Sequence, residues 1–305
     1  MKITAISGGV GGARMMRGLA ALDDCELTGI VNVGDDEVIY GLHVSPDIDT
    51  VIYTMANVHG PHGWGLGDDT YQVMEALEGF PVDTWFRIGD ADLATNLFRT
   101  MRLKEGWTLS QVTTAQAAVF GIEGIILPVS DDPIRTEVSI PGEGWITFQT
   151  YFVHRQHQTE VDDLRFAGAQ LARPAPGVID AIVDADVVLI CPSNPPLSIW
   201  PILAVPGVAD AVQAARRVVA VSPLFGGRPL KGPADRVMGG IGLPPGTEGI
   251  LAAYDGIIDE LIIDVADAED ADRIETDVTI RSMNTRIGQL EAARRLAEKL
   301  VWPWF

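Results

Sequence analysis

Short continuous apolar runs alternate along this chain with stretches whose apolar positions recur at helical spacing. Residues 3–7 form the first run and enter Gly8-Gly9-Val10-Gly11-Gly12. Met15, Met16, Leu19 and Leu22 then mark one face of a helix over residues 13–22, so the order is strand, glycine turn, helix. Residues 27–33 read as a second buried strand, which delivers Asn32-Val33-Gly34-Asp35-Asp36 at its carboxyl end. The spacing predicts a helix over 49–58, with Asp49 or Thr50 capping its first amides, and further helices over 69–77, 92–104 and 109–120.

The character then changes. Residues 136–140 and 145–153 are β-branched and aromatic, flank Pro141-Gly142-Glu143-Gly144, and read as a hairpin. After it the alternation resumes, with helices over 178–185 and 208–215, strands over 186–191 and 218–221, a final strand over 261–265 and an amphipathic closing helix over 289–300. The strands over 186–191 and 218–221 each run into a proline-marked loop, Pro192-Ser193-Asn194-Pro195 and Ser222-Pro223-Leu224-Phe225-Gly226-Gly227.

This alternation predicts an α/β fold: a Rossmann-like, doubly wound, mainly parallel sheet whose ligands bind beyond the strand carboxyl ends. The unusual loops all fall at that edge. The helix-rich middle predicts an inserted subdomain near residues 66–175 within a single domain spanning 1–305.

Charge narrows the partners. The formal net charge of -20 repels nucleic-acid backbones and anionic membrane surfaces, so neither is an expected partner. Cys25 and Cys191 have neither disulfide-framework nor zinc-ligand spacing, and no apolar run approaches the roughly 18 residues of a membrane span. The amino terminus has no secretory pattern, and a cytoplasmic location is expected. The apolar residues 301–305 suggest an exposed tail packed on the body or on a second subunit, a homodimer.

Within the loops, the glycines of GGVGGAR let backbone amides approach an anion at the positive end of the following helix. The register is neither that of the dinucleotide fingerprint nor that of a P-loop. Asp35, Asp36, Asp47 and Asp49 bring four carboxylates into one short stretch, oxygen ligands of the kind that suit magnesium together with substrate phosphates. Asp35 and Asp49 are the functional candidates, whereas Asp47 reads equally well as a cap or turn residue and Asp68-Asp69 reads as a cap. Ser193 and Asn194 offer a hydroxyl and an amide that could read a base or phosphate, and Lys231 a charge that could neutralise phosphate; each also has an ordinary structural reading. None of the five histidines has metal-ligand spacing, and no Gly-x-Ser-x-Gly elbow is present.

Together these segments resemble the 2-phospho-L-lactate transferase family over nearly the whole chain. The resemblance rests on GGVGGAR from Gly8, NVGDD from Asn32, SPDIDTVIYTMA from Ser45 and IGDADLATNLFRT from Ile88. It continues through LPVSDDPIRT from Leu127, FQTYFV from Phe148, CPSNPPLSI from Cys191 and SPLFGGRPLKGPADRVM from Ser222. It implies transfer of a phospho-acid from its guanosine diphosphate ester to the ribitol hydroxyl of the deazaflavin Fo, releasing GMP, in coenzyme F-420 biosynthesis. It further implies that Asp35 and Asp49 hold magnesium or orient the acceptor hydroxyl, Asp49 also facing Fo. Gly11, Gly12 and Arg14 would approach phosphate, and Ser193, Asn194, Lys231 and Gly232 would hold the nucleotide. Two positions depart from the family pattern. Ala91 stands where an arginine expected to touch the deazaflavin is usual, with Arg87, one helical turn earlier, as its candidate substitute. Trp200 stands where glycine is common, and its ring is expected to reshape the donor pocket.

Two rival readings come from other classes. A non-catalytic, nucleotide-sugar-binding regulator of related fold would share the glycine turn and the acidic strand end. An NAD-dependent oxidoreductase is disfavoured by the glycine register.

Overall fold

A computed structural model describes residues 1–230 and 232–302. At its centre lies a seven-stranded sheet in which every neighbouring pair is parallel. In spatial order the strands are Thr279–Met283, Glu260–Asp264, Val218–Val221, Val187–Ile190, Lys2–Ser7 (β1), Glu26–Val31 (β2) and Ile125–Pro128. From β1 the chain winds to one edge, then returns to the other side of β1. In doubly wound sheets the ligand crevice lies where the winding direction reverses, here between β1 and Val187–Ile190. Apolar side chains fill both faces: Val187–Ile190, Val218–Val221 and Glu260–Asp264 are buried along their whole lengths.

The helix after β1, Gly9–Ala20 (α1), begins four residues earlier than apolar spacing predicts. The glycine run is itself the first helical turn, so the turn and the helix start are one element. Met15, Met16 and Leu19 are wholly buried, as the periodicity requires. Similarly, Pro46–Met55 (α2) begins at Pro46, whose fixed φ suits the first helical position. Asp49 therefore sits inside the first turn rather than capping it.

Asp69 does act as a cap, but not for the helix next to it in sequence. That helix runs over Gln72–Leu77, whereas Asp69 accepts from the Ala91 and Asp92 amides at the start of Asp90–Lys104, at 2.8 and 3.0 Å. Leu109–Val119 starts on a capping box formed by Thr108 and Gln111.

The hairpin pairs Arg135–Ile140 with Gly144–Thr147, and Asp163–Ala167 joins it as a third antiparallel strand. Its expected second arm stops at Thr147 because Thr150–His154 coils into a wide helical turn. Val138, Ile140, Phe148 and Tyr151 pack with Leu197 and Val237, which seats this small sheet against the loops beyond the main strands. Two edge strands escape the apolar pattern, Ile125–Pro128 because it is only partly buried and Thr279–Met283 through its mixed polarity. The closing helix runs over Leu290–Val301. Val301 is buried and Trp302 packs on the main core, so this part of the tail lies on the body; residues 303–305 lie outside the described residues. No helix among the described residues is long and apolar enough to cross a membrane.

Candidate functional site

The crevice is built by loops from three adjacent strands. The glycine turn follows β1, the Asn32-Val33-Gly34-Asp35-Asp36 loop follows β2, and Cys191-Pro192-Ser193-Asn194 follows Val187–Ile190. Their approach is close. A Cβ on Gly11 would lie 2.2 Å from the Pro192 carbonyl oxygen, and one on Gly12 would lie 2.1 Å from Ser7 Oγ and 2.7 Å from Ser193 Oγ. Any side chain at either position would push the turn away from the neighbouring loop. Ser193 Oγ donates to the Gly8 carbonyl at 2.7 Å and accepts from the Gly8 amide at 3.2 Å, tying the two loops together. Asn194 accepts from Leu197 N at 3.3 Å and so caps the turn that follows it.

Four carboxylates, Asp35, Asp36, Asp47 and Asp49, are all buried, and Asp47 reaches the glycine turn. Asp47 accepts from the Gly9 amide at 2.7 Å and from Asn32 Nδ2 at 2.9 Å. Asp36 accepts from Ser45 Oγ at 2.7 Å and sits 2.9 Å from His43 Nε2. Asp49 is paired with Arg99, a guanidinium without solvent exposure whose other contacts are Asn96 Oδ1 at 2.8 Å, the His43 carbonyl at 3.2 Å and Gln116 Oε1 at 3.3 Å. Burial pushes the Asp49 carboxyl up to about 7 against the pull of Arg99, and pushes Asp47 up to about 6 against its hydrogen bonds from Asn32 and Gly9. Asp35 is held well above the usual carboxylate range, by burial first and by the neighbouring Asp47 second.

Asp35 Oδ1 and Asp36 Oδ1 are buried without a hydrogen-bond partner among the described residues. Asp35 also has no lysine or arginine within ion-pair distance there. An acidic cluster with an unpaired inward oxygen has the chemistry a hard divalent cation neutralises. Among the described residues no three His, Cys, Asp or Glu side chains form a complete metal cage. Magnesium commonly takes only one or two carboxylates and completes its shell with water and substrate phosphates, a demand that the unpaired oxygens of Asp35 and Asp36 could meet.

The remaining predicted residues scatter around this core. Arg14 lies on α1, partly exposed, and forms no ion pair among the described residues. Arg87 is not one helical turn before Ala91, because the helix begins at Asp90; it lies in the preceding coil, bridges to Glu78 at 3.3 Å and stacks over Tyr71. Gly232 lies beside Phe152, a ring stacked on Phe148 and His157. Lys231 lies outside the described residues. Trp200 Nε1 donates to the Ala253 carbonyl at 2.9 Å, which anchors its ring on the helix Gly246–Ala253.

Three further residues shape the site without a motif signal for that role. Gln149 donates to the Asp35 carbonyl at 2.9 Å and ties the FQTYFV segment to the acidic loop. Arg99 and Asn32 are the others. The available signal for Arg99 is the polar series Asp92, Asn96 and Arg99, which recurs at helical spacing on one face of Asp90–Lys104. Asp92 is also the acceptor for Tyr53 Oη, at 2.7 Å.

Comparison with known proteins agrees with this architecture. Two crystal structures of a UPF0052-family protein from Bacillus halodurans superpose with a TM-score of 0.67 each, at 18% and 17% identity. They cover 98% of this chain and 98% and 99% of theirs, and at that identity they speak to the fold alone. The chain is 40% identical over 307 residues to a phosphoenolpyruvate transferase of Kitasatospora aureofaciens, covering 97% of this chain and 96% of that one. It is 38% identical over 308 residues to a phosphoenolpyruvate transferase of Streptomyces griseus, covering 98% and 97%. The family model described as 2-phospho-L-lactate transferase CofD matches residues 3–293, which include every loop of the crevice. The chain thus belongs to the 2-phospho-L-lactate transferase CofD family and is a phospho-acid transferase.

Proposed function

We propose that this protein transfers a phosphoenolpyruvyl, phospholactyl or similar phospho-acid group from its guanosine diphosphate ester to the terminal ribitol hydroxyl of Fo, in the cytoplasm, as a step in coenzyme F-420 biosynthesis. The names of the relatives favour phosphoenolpyruvyl among these groups. The observation that carries the reading is the meeting of an anion-receiving glycine turn with buried, under-compensated carboxylates at the sheet's reversal point.

In the proposed reaction the ribitol oxygen forms a bond to the acid-bearing phosphorus. The bond from that phosphorus to the bridging oxygen breaks, and GMP leaves with the electron pair. The ribitol proton passes to a carboxylate, Asp49 or Asp35. Orphan amides of the first turn of α1, with Gly11, Gly12 and Arg14, face the diphosphate, while Ser193, Asn194, Lys231 and Gly232 hold the nucleotide. Magnesium held by Asp35 or Asp49, the other carboxylate being left to take the proton, would offset the charge of the phosphates when bound. The bond made is to phosphorus, so positioning and charge neutralisation supply the catalysis and no covalent nucleophile is needed.

Titration of Fo fluorescence tests the reading. Quenching that requires both magnesium and a guanosine nucleotide is expected; quenching indifferent to both, or produced equally by uridine nucleotides, would count against it.

A further inference from the structure

Asp47 is the carboxylate whose sequence context left its role open. Its geometry is specific. One oxygen accepts from the Gly9 amide at 2.7 Å, at a residue with φ +65°, and the other accepts from Asn32 Nδ2 at 2.9 Å. Asn32 is itself wholly buried, and its Oδ1 accepts from the Gly34 amide at 2.8 Å. A continuous chain of three hydrogen bonds thus runs Gly9, Asp47, Asn32, Gly34, joining the glycine turn to the loop that carries Asp35. The fit around it is tight: a Cβ on Gly8 would lie 2.6 Å from Asp47 Oδ2 and 2.8 Å from Ser198 Cβ.

The local chain does not fix this shape by itself. A left-handed φ at Gly9 is one of several conformations open to glycine, so the turn needs an external partner to hold it. With Gly8 held by Ser193 and Gly9 by Asp47, the next amides, those of Val10 and Gly11, are first-turn amides without intrahelical partners.

We infer that Asp47 is a positioning residue: with Asn32 as its relay, it fixes the glycine turn in the shape that receives the nucleotide diphosphate and sets that turn's position relative to Asp35. This rests on the nucleotide reading above. Its role is carried by hydrogen-bond direction, an acceptor at 47 facing a donor at 32, rather than by a ligand bond to metal or substrate.

The direction can be reversed. Asp47→Asn alone sets two amide donors face to face, and Asn32→Asp alone sets two carboxylates face to face. The double variant D47N/N32D exchanges donor and acceptor, and all three hydrogen bonds can form again. Calorimetric titration with GDP reads the effect, with Fo binding by fluorescence as the check that the rest of the site is intact. Each single variant is expected to weaken GDP binding about tenfold or more, to leave Fo binding within about twofold, and to speed amide exchange in the peptide containing Gly9. The double variant is expected to return both GDP affinity and exchange to within about twofold of the parent protein. Parent-like GDP binding and exchange in D47N would overturn the inference, as would a double variant as impaired as the singles, because the charge at 47 itself would then be what matters. Failure of the parent protein to bind GDP would instead overturn the nucleotide reading, and this inference with it.

Discussion

Arg99, fully buried on the helix Asp90–Lys104, donates to Asp49 on α2 and is that carboxylate's ion-pair partner. The pair joins the helix-rich middle of the chain to the wall of the crevice. It also divides the acidic cluster. Asp49 is compensated by a fixed cation, while Asp35 has none among the described residues.

Breaking the pair from the arginine side leaves a buried carboxylate uncompensated. Arg99→Met is expected to cost about 3–5 kcal/mol of stability at neutral pH, read by denaturant unfolding. Adding Asp49→Asn to it should recover part of that loss. A loss of less than about 1 kcal/mol in the single variant would show that the pair does little for the fold.

Removing Asp35 acts on chemistry rather than on folding. Asp35→Asn is expected to lower turnover by about 10²–10⁴-fold and to abolish its magnesium dependence while the protein stays folded. Turnover within tenfold of the parent, with the magnesium requirement intact, would remove Asp35 from the proposed machinery.

The cluster also makes stability depend on pH, with a definite sign. Asp35, Asp47 and Asp49 all have carboxyls raised above the 3.8 expected of an unfolded aspartate, so the folded state binds their protons more tightly than the unfolded state does. The stability this confers is fully present below about pH 4 and is lost as pH rises through about 6 for Asp47 and about 7 for Asp49. Without divalent ions, the unfolding midpoint should therefore fall between pH 5 and pH 8, and Asp35→Asn should flatten that slope. An unchanged slope in the variant would show that Asp35 is not one of the carboxyls raised by burial.

Much of this architecture is legible in the chain itself, for identifiable reasons. Strands buried on both faces, such as Val187–Ile190 and Val218–Val221, show as unbroken apolar runs, and the loops at their ends carry the unusual residues. Legibility fails where position depends on distant partners. Nothing local marks Ile125–Pro128 or Thr279–Met283 as sheet edges, since pairing with β2 and with Glu260–Asp264 is what makes them strands. The same holds within the site. Asp47 and Asp49 are two residues apart in one motif, yet one reaches the glycine turn and the other a buried arginine fifty positions away. Spacing places the acids together but cannot say which one each partner takes.

Trp200 makes a modest prediction. Its indole is tied to the Ala253 carbonyl, so Trp200→Phe is expected to cost about 0.5–1.5 kcal/mol of stability and to leave the donor KM unchanged. A severalfold shift in donor KM without loss of stability would mean that the ring shapes the pocket after all.

The account depends most on the transfer itself. Incubated with Fo, magnesium and phosphoenolpyruvyl guanosine diphosphate, the protein should convert Fo to a species heavier by one phosphoenolpyruvyl group, with one GMP released per Fo consumed, both read by mass spectrometry. Unchanged Fo with that donor and with its phospholactyl counterpart, under conditions where the protein binds GDP, would contradict it.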